Sequence, residues 1–189
     1  MELVSNYIDI ITNILKSSGL IAGVLLVLLE SIIPALPLGV FITLNINAYG
    51  LLFGILISWL GTCLGCYLSY LLFKFLAINF FDKHIKNKRL LNMVESIKSI
   101  SFSNLVVVIA LPFTPAFLIN IACGLAKMTK KKFVAAIMIG KVSITIFWGC
   151  IGKSLLESIT DIKTIIIVSI FILVAYIVSK IVSKKLKIE

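Results

Sequence analysis

The chain is short of charge, of acid and of histidine. Only 14% of its 189 residues are charged, eight are Asp or Glu, and one is His. So few acids and a single His leave little for a catalytic dyad. No GxSxG, HExxH or P-loop occurs, so hydrolytic and metal chemistry find no support. The chain is expected to be no enzyme and to carry no cofactor. A clean secretory signal is also missing. The first residues carry Glu2, Asp9 and Lys16, with no unbroken apolar stretch and no AxA-like cleavage site. Proline is scarce as well: four residues, which fall as two PxxP pairs.

Apolar residues fill the space that charge leaves. Sixty per cent of the chain is hydrophobic and mean hydropathy is +1.15, against about 45–50% apolar for a soluble domain. Such a chain cannot cover itself with polar surface, so the excess area needs lipid. Net charge is +10, which could point to nucleic acid. The lysines, however, cluster in short segments between apolar runs, the positive-inside pattern of membrane proteins, and no nucleic-acid partner is expected. Cys63, Cys66, Cys123 and Cys150 all lie inside apolar runs. The CxxC at Cys63 and Cys66 reads as small residues for helix packing. His84 reads as a solvated residue of a basic loop.

Leu3, Tyr7, Ile8, Ile11, Ile14 and Leu15 recur at helical spacing, so residues 1–18 read as an amphipathic interfacial helix, with a weak first span as the alternative. Five apolar stretches follow. Gly19–Tyr49 is broken by Glu30 and by Pro34 and Pro37. Leu51–Ala77 is nearly continuous, with Lys74 near its end. Leu105–Ala126 is broken by Pro112 and Pro115. Phe133–Leu156 contains Lys141 and, near its end, Lys153. Ile165–Val182 is the cleanest. A span needs about 20 apolar residues, so the second, fourth and fifth qualify as simple transmembrane helices.

Charge orients them. The loop 79–103 carries Lys83, Lys86, Lys88, Arg89 and Lys98, and the loop 127–132 carries four more lysines; both should be cytoplasmic. A straight helix between them would put its ends on opposite sides. The prolines resolve this if the stretch dips in, breaks and returns as a re-entrant hairpin, which is tolerated where protein or a water cavity shields the open backbone. Phe133–Leu156 then crosses outward to a loop with Glu157 and Asp161. The last span returns to a basic tail, 183–189, with a cytoplasmic C-terminus. The first stretch becomes a second hairpin from the outer side, or two tightly packed short spans. The expected fold is thus all-α: a polytopic integral membrane protein with two inverted re-entrant helical hairpins and about three full transmembrane helices. Its parts are 19–77 (hairpin plus span), the joining loop 79–103, 104–156 (hairpin plus span), and a C-terminal helix over 164–182. Inverted repeats of this type place a binding site at the midplane, between broken helices.

A few polar residues stand where such a site would use them. Glu30, four residues before Pro34, is a carboxylate deep in an apolar run, costing roughly 2.5–3.5 kcal/mol on insertion scales. It is a candidate for carrying protons or binding a cation, against a structural role bonding freed backbone. Lys141 could meet an anionic headgroup or Glu30, or snorkel toward the cytoplasmic side. Lys74 reads as an interface anchor. Thr114 and Asn120 accompany the second break; Asn45 and Asn47 accompany the first. Broken helices also expose unpaired N–H groups and a positive dipole end, which suit phosphate. Ser58, Gly61, Thr62, Gly65, Cys66 and Ser69 form a small-residue stripe for close helix contact.

The motif Glu30-x-x-x-Pro34-x-x-Pro37, the glycines Gly50 and Gly54, and the run Pro112-x-x-Pro115-x-x-x-x-Asn120-x-x-x-Gly124 resemble the DedA superfamily, also called VTT-domain or SNARE-associated Golgi proteins. Phe133, Gly140 and Gly152 fit the same pattern. The likeness covers about residues 20–155. It implies lipid movement: flipping or scrambling phospholipids, or recycling polyprenyl-phosphate carriers, in some members with proton coupling. By position Glu30 matches the family's hairpin acid, and Pro112, Pro115, Asn120 and Gly124 match its second hairpin. Two positions depart from it. Ile109 stands where many members have an arginine, and Ser143 where a proline is common, which puts phosphate binding by the usual residues in doubt unless Lys141 compensates. The expected function is a flippase or scramblase of phospholipid or polyprenyl phosphate in the cell membrane, with protons and a homo-oligomer both admitted. The rivals are a small-ion transporter or channel and a non-transporting assembly factor.

Overall fold

A computed structural model describes residues 2–33, 36–84, 88–157 and 162–185. Pro34, Lys86, Asp161 and Lys187 lie outside them, as do the side chains of Lys83, His84, Lys88, Arg89, Lys153 and Glu157. Eight helices are described: α1 Glu2–Ile32, α2 Leu38–Tyr49, α3 Leu51–His84, α4 Lys88–Ser99, α5 Phe102–Ala110, α6 Ala116–Leu125, α7 Lys130–Glu157 and α8 Ile162–Lys185. Among the described residues, four segments are long and apolar enough to cross a membrane: Tyr7–Ile32, Leu51–Leu76, Lys130–Gly152 and Ile162–Lys185. The protein is therefore a multi-pass helical membrane protein, with one more candidate span than the three simple ones read from the sequence.

That additional candidate is not straight. Gly19 breaks α1 with φ 76° and ψ 176°, a region that is essentially glycine-only. On a straight helix Ile8 and Glu30 would stand about 33 Å apart, yet both line one cavity. Thr12 accepts a hydrogen bond from Asn47 at 3.1 Å, while Gly23 packs against Asn45, two residues away in α2. The arm 2–18 thus folds back at Gly19, and both arms of α1 lie along α2.

Both proline-containing stretches are split in two. Pro37 and Pro115 each sit in extended conformation just before a short helix, α2 of 12 residues and α6 of 10. Proline suits that position because its missing N–H is one that no helix could pair. At about 1.5 Å per residue these helices are roughly 18 and 15 Å long, too short for a hydrocarbon core of about 30 Å.

α3 is the central post, packed on α1, α2, α6 and α7. Its small residues let neighbours approach. A Cβ on Gly61 would meet the Val24 carbonyl oxygen at 2.6 Å, and one on Gly65 the Leu28 carbonyl oxygen at 2.6 Å. A Cβ on Gly54 would strike the α2 backbone at Ile46, and one on Gly124 the Tyr70 carbonyl oxygen at 2.7 Å. Hence α2 seats on the start of α3 and α6 on its far part. Hydrogen bonds tie the segments flanking each broken unit together. The Tyr49 hydroxyl lies 2.7 Å from the carbonyl oxygens of both Leu15 and Gly19. In the second unit Lys132 Nζ donates to the Ile100 carbonyl at 2.6 Å, and Tyr70 and Lys74 both donate to the Met128 carbonyl. Lys74 therefore holds the turn after α6.

Charge alone points to a loop over 79–103, but helix occupies most of it. In α4, Met93, Val94 and Ile97 form a buried stripe against α6, an amphipathic pattern that the surrounding lysines obscure. α8 is mostly exposed along its length. It touches α7 and reaches the second break through aromatic rings: Tyr176 on Phe113 at 5.7 Å and Phe171 on Phe147 at 5.4 Å.

Candidate functional site

The two broken units meet. A cavity of about 560 Å³ is lined by Pro37, Leu38, Gly39 and Val40 of the first break and by Pro112 through Phe117 of the second. Volumes of roughly 300–1,000 Å³ are usual for small-molecule sites. α7 supplies Ile144, Trp148, Ile151 and Gly152, and α1 supplies Ile8 and Glu30. The lining is apolar but for Glu30, Thr43 and Thr114. Ser31 Oγ reaches the Glu30 carboxylate only at 3.4 Å, and Ser31 itself is tied to Thr62 across α3 at 3.2 Å.

The N-terminal residues of both short helices line this space. Neither α2 nor α6 has a side-chain cap. The first amides of each helix, at Leu38, Gly39, Ala116 and Phe117, have no intrahelical acceptor. Two positive helix ends therefore converge on one cavity, an arrangement that favours an anion.

A small recess of about 10 Å³ adjoins it, lined by Lys141, Asn120, Thr114, Ile109 and neighbours; Thr114 and Ala116 belong to both spaces. Lys141 is 1% exposed, and its Nζ has no hydrogen-bond partner. It acts electrostatically on Glu30, but no ion pair closes between them. Ile109 packs on the bare Cα of Gly140, which explains how an aliphatic side chain fills that position.

The sequence-predicted residues thus separate. Glu30, Thr114, Pro37, Pro112 and Pro115 share the cavity, and Lys141 and Asn120 flank it. Asn47 does not join them; its amide is spent on Thr12. Asn45 bonds the Gly23 carbonyl and Ser58, holding α2 between α1 and α3. Gly50 caps α2 with φ 81°, and Gly124 seats α6 on α3; both act away from the cavity. Pro34 is outside the described residues. Trp148, Phe113 and Thr43 were not singled out from sequence. Trp148 follows Lys141 by seven residues, one helical face, so the spacing carried a signal. Phe113 packs edge-on against Trp148 at 5.8 Å. Gly39 lets α2 approach Trp148, and Gly152 lets α7 approach Thr43.

The class is therefore a multi-pass helical membrane protein whose two interrupted helix pairs face one another across a cavity. Residues 33–154 match the VTT domain. The chain is also 30% identical over 171 residues to the uncharacterized membrane protein YhjE of Bacillus subtilis (strain 168), covering 88% of this chain and 81% of that protein. It belongs to the VTT-domain family, the DedA/SNARE-associated group. No solved structure matches it.

Proposed function

We propose that this protein moves a lipid with a phosphorylated headgroup, a phospholipid or a polyprenyl phosphate, between the leaflets of the cell membrane, with no covalent chemistry. The observation that carries this reading is the meeting of both proline breaks on one apolar cavity. In the proposal the α1–α2 and α5–α6 units are re-entrant hairpins from opposite faces. Their exposed backbone is tolerated because it lines the cavity, and the site lies between broken helices as in inverted-repeat transporters. The apolar lining suits a lipid chain, the converging helix ends and Lys141 meet the phosphate, and Glu30 takes up and releases a proton. The basic segments and the C-terminus are cytoplasmic.

Reconstitution into liposomes with headgroup-labelled lipids and dithionite quenching tests this. Full-length protein should raise quenching above one half, and Glu30→Gln should remove any pH dependence of the rate. Ion flux without lipid movement would replace the reading with a small-ion transporter. Neither activity, together with normal cell growth of Glu30→Gln, would leave an assembly factor. Topology is tested separately in a Cys150→Ser background. Cysteines at Ser103 and Lys127, both exposed, should label from the same face; labelling from opposite faces refutes the second hairpin.

A further inference from the structure

We infer that the recess at Lys141 is a socket for one anionic oxygen of a phosphate group, an inference that rests on the transport reading above. Three polar atoms end in it without partners: Lys141 Nζ, Asn120 Nδ2 and Thr114 Oγ1. Their residues are 1%, 2% and 8% exposed. An ammonium, an amide N–H₂ and a hydroxyl are all able to donate, so the recess asks for an acceptor. The other walls, Val108 and Ile109 of α5 and Ala116 and Ile119 of α6, are aliphatic, so no carboxylate lines the recess; Glu30 lies on the larger cavity and makes no ion pair with the lysine. A cation is disfavoured by the ammonium. A buried charge is retained where something pairs it.

Size and position narrow the occupant. At about 10 Å³ the space holds roughly one water-sized atom group, hence one oxygen rather than a whole phosphate. Because Thr114 and Ala116 also line the large cavity, an oxygen in the socket leaves the rest of its phosphate at the uncapped start of α6. The esterified chain then extends into the apolar cavity toward Trp148. The same oxygen could belong to a lipid phosphate or to free inorganic phosphate.

Thermal unfolding of the purified full-length chain in a neutral detergent decides between them, with dodecyl phosphate, inorganic phosphate and dodecanol as probes. Dodecyl phosphate should raise the Tm of the wild type by about 5–10 °C at roughly a hundredfold excess over its dissociation constant, and dodecanol should not. Lys141→Met should lose the shift and Lys141→Arg should keep most of it. Thr114→Val, a change of one atom, should weaken it and guards against a misfolded lysine variant. An equal shift from inorganic phosphate supports the socket and assigns it to free phosphate. No shift in the wild type, or equal shifts in wild type and Lys141→Met, overturns the socket. The transport reading fails by a different result: wild-type vesicles that move no labelled lipid.

Discussion

Replacing Gly19 with alanine isolates the fold-back of α1 from everything around it. A Cβ at this position meets nothing within 4 Å, so the substitution adds no clash. What it adds is conformational strain, because φ 76° with ψ 176° suits glycine; such backbone costs about 1–3 kcal/mol elsewhere. Against this stand the contacts that hold the arm: Asn47 to Thr12 and Tyr49 to the Leu15 and Gly19 carbonyls. The Tyr49 hydroxyl has one proton to share between its two carbonyls, so these amount to two hydrogen bonds, together about 1–3 kcal/mol. The strain is of the same size as the hold. The folded-back population should therefore fall by between about 5- and 150-fold relative to the straightened form. With cysteines at Thr12 and Asn47, which remove their mutual hydrogen bond equally from variant and control and leave Tyr49 to hold the arm, and with Cys150→Ser as background, the rate of cross-linking by a short bis-maleimide reads that population. Ser17→Ala, whose hydroxyl bonds only the Ile14 carbonyl on the exposed surface, is the control. Cross-linking as fast in Gly19→Ala as in the control would refute the strain argument and the fold-back with it.

Three further outcomes are expected. Gly61→Ala and Gly124→Ala push a Cβ to 2.6 and 2.7 Å from backbone carbonyl oxygens that cannot rotate away, so each should destabilise by about 1–3 kcal/mol, read as a lower melting temperature in detergent; unchanged melting would contradict the close packing on α3. Lys74→Met removes the charged donor 2.6 Å from the Met128 carbonyl. Tyr70 still donates to that oxygen, so the loss should be about 1.5 kcal/mol, the low end for a charged hydrogen bond, and Tyr70→Phe added to it should cost more than either change alone. Cys150 is exposed while Cys63, Cys66 and Cys123 are buried, so maleimide should modify one thiol in mild detergent and four only after denaturation.

The polar positions of the site were legible because each violates its surroundings. An acid in an apolar run, a lysine behind Gly140 and two proline pairs in a proline-poor chain stand out by type. The cavity's partners were harder to read. Trp148 and Phe113 look like ordinary lipid-facing aromatics until α2 and α8 are placed beside them. Ile8 enters the cavity only because of the Gly19 backbone, and neither composition nor periodicity records a dihedral angle. Asn47 reads as a site residue by its place in the first break, yet the fold-back brings Thr12 to its amide. α4 was hidden by the charge that surrounds it, although Met93, Val94 and Ile97 already lay on one helical face.

The seating of α2 and α6 on a single helix makes α3 a ruler. Gly54 takes one short helix and Tyr70 the other, roughly 24 Å further along at about 1.5 Å per residue. The gap between the two uncapped helix starts is then fixed by how many residues separate those two docking points. One inserted residue there turns the second dock by about 100° and moves it off its face. The spacing of the two docks can therefore change only in near-whole helical turns.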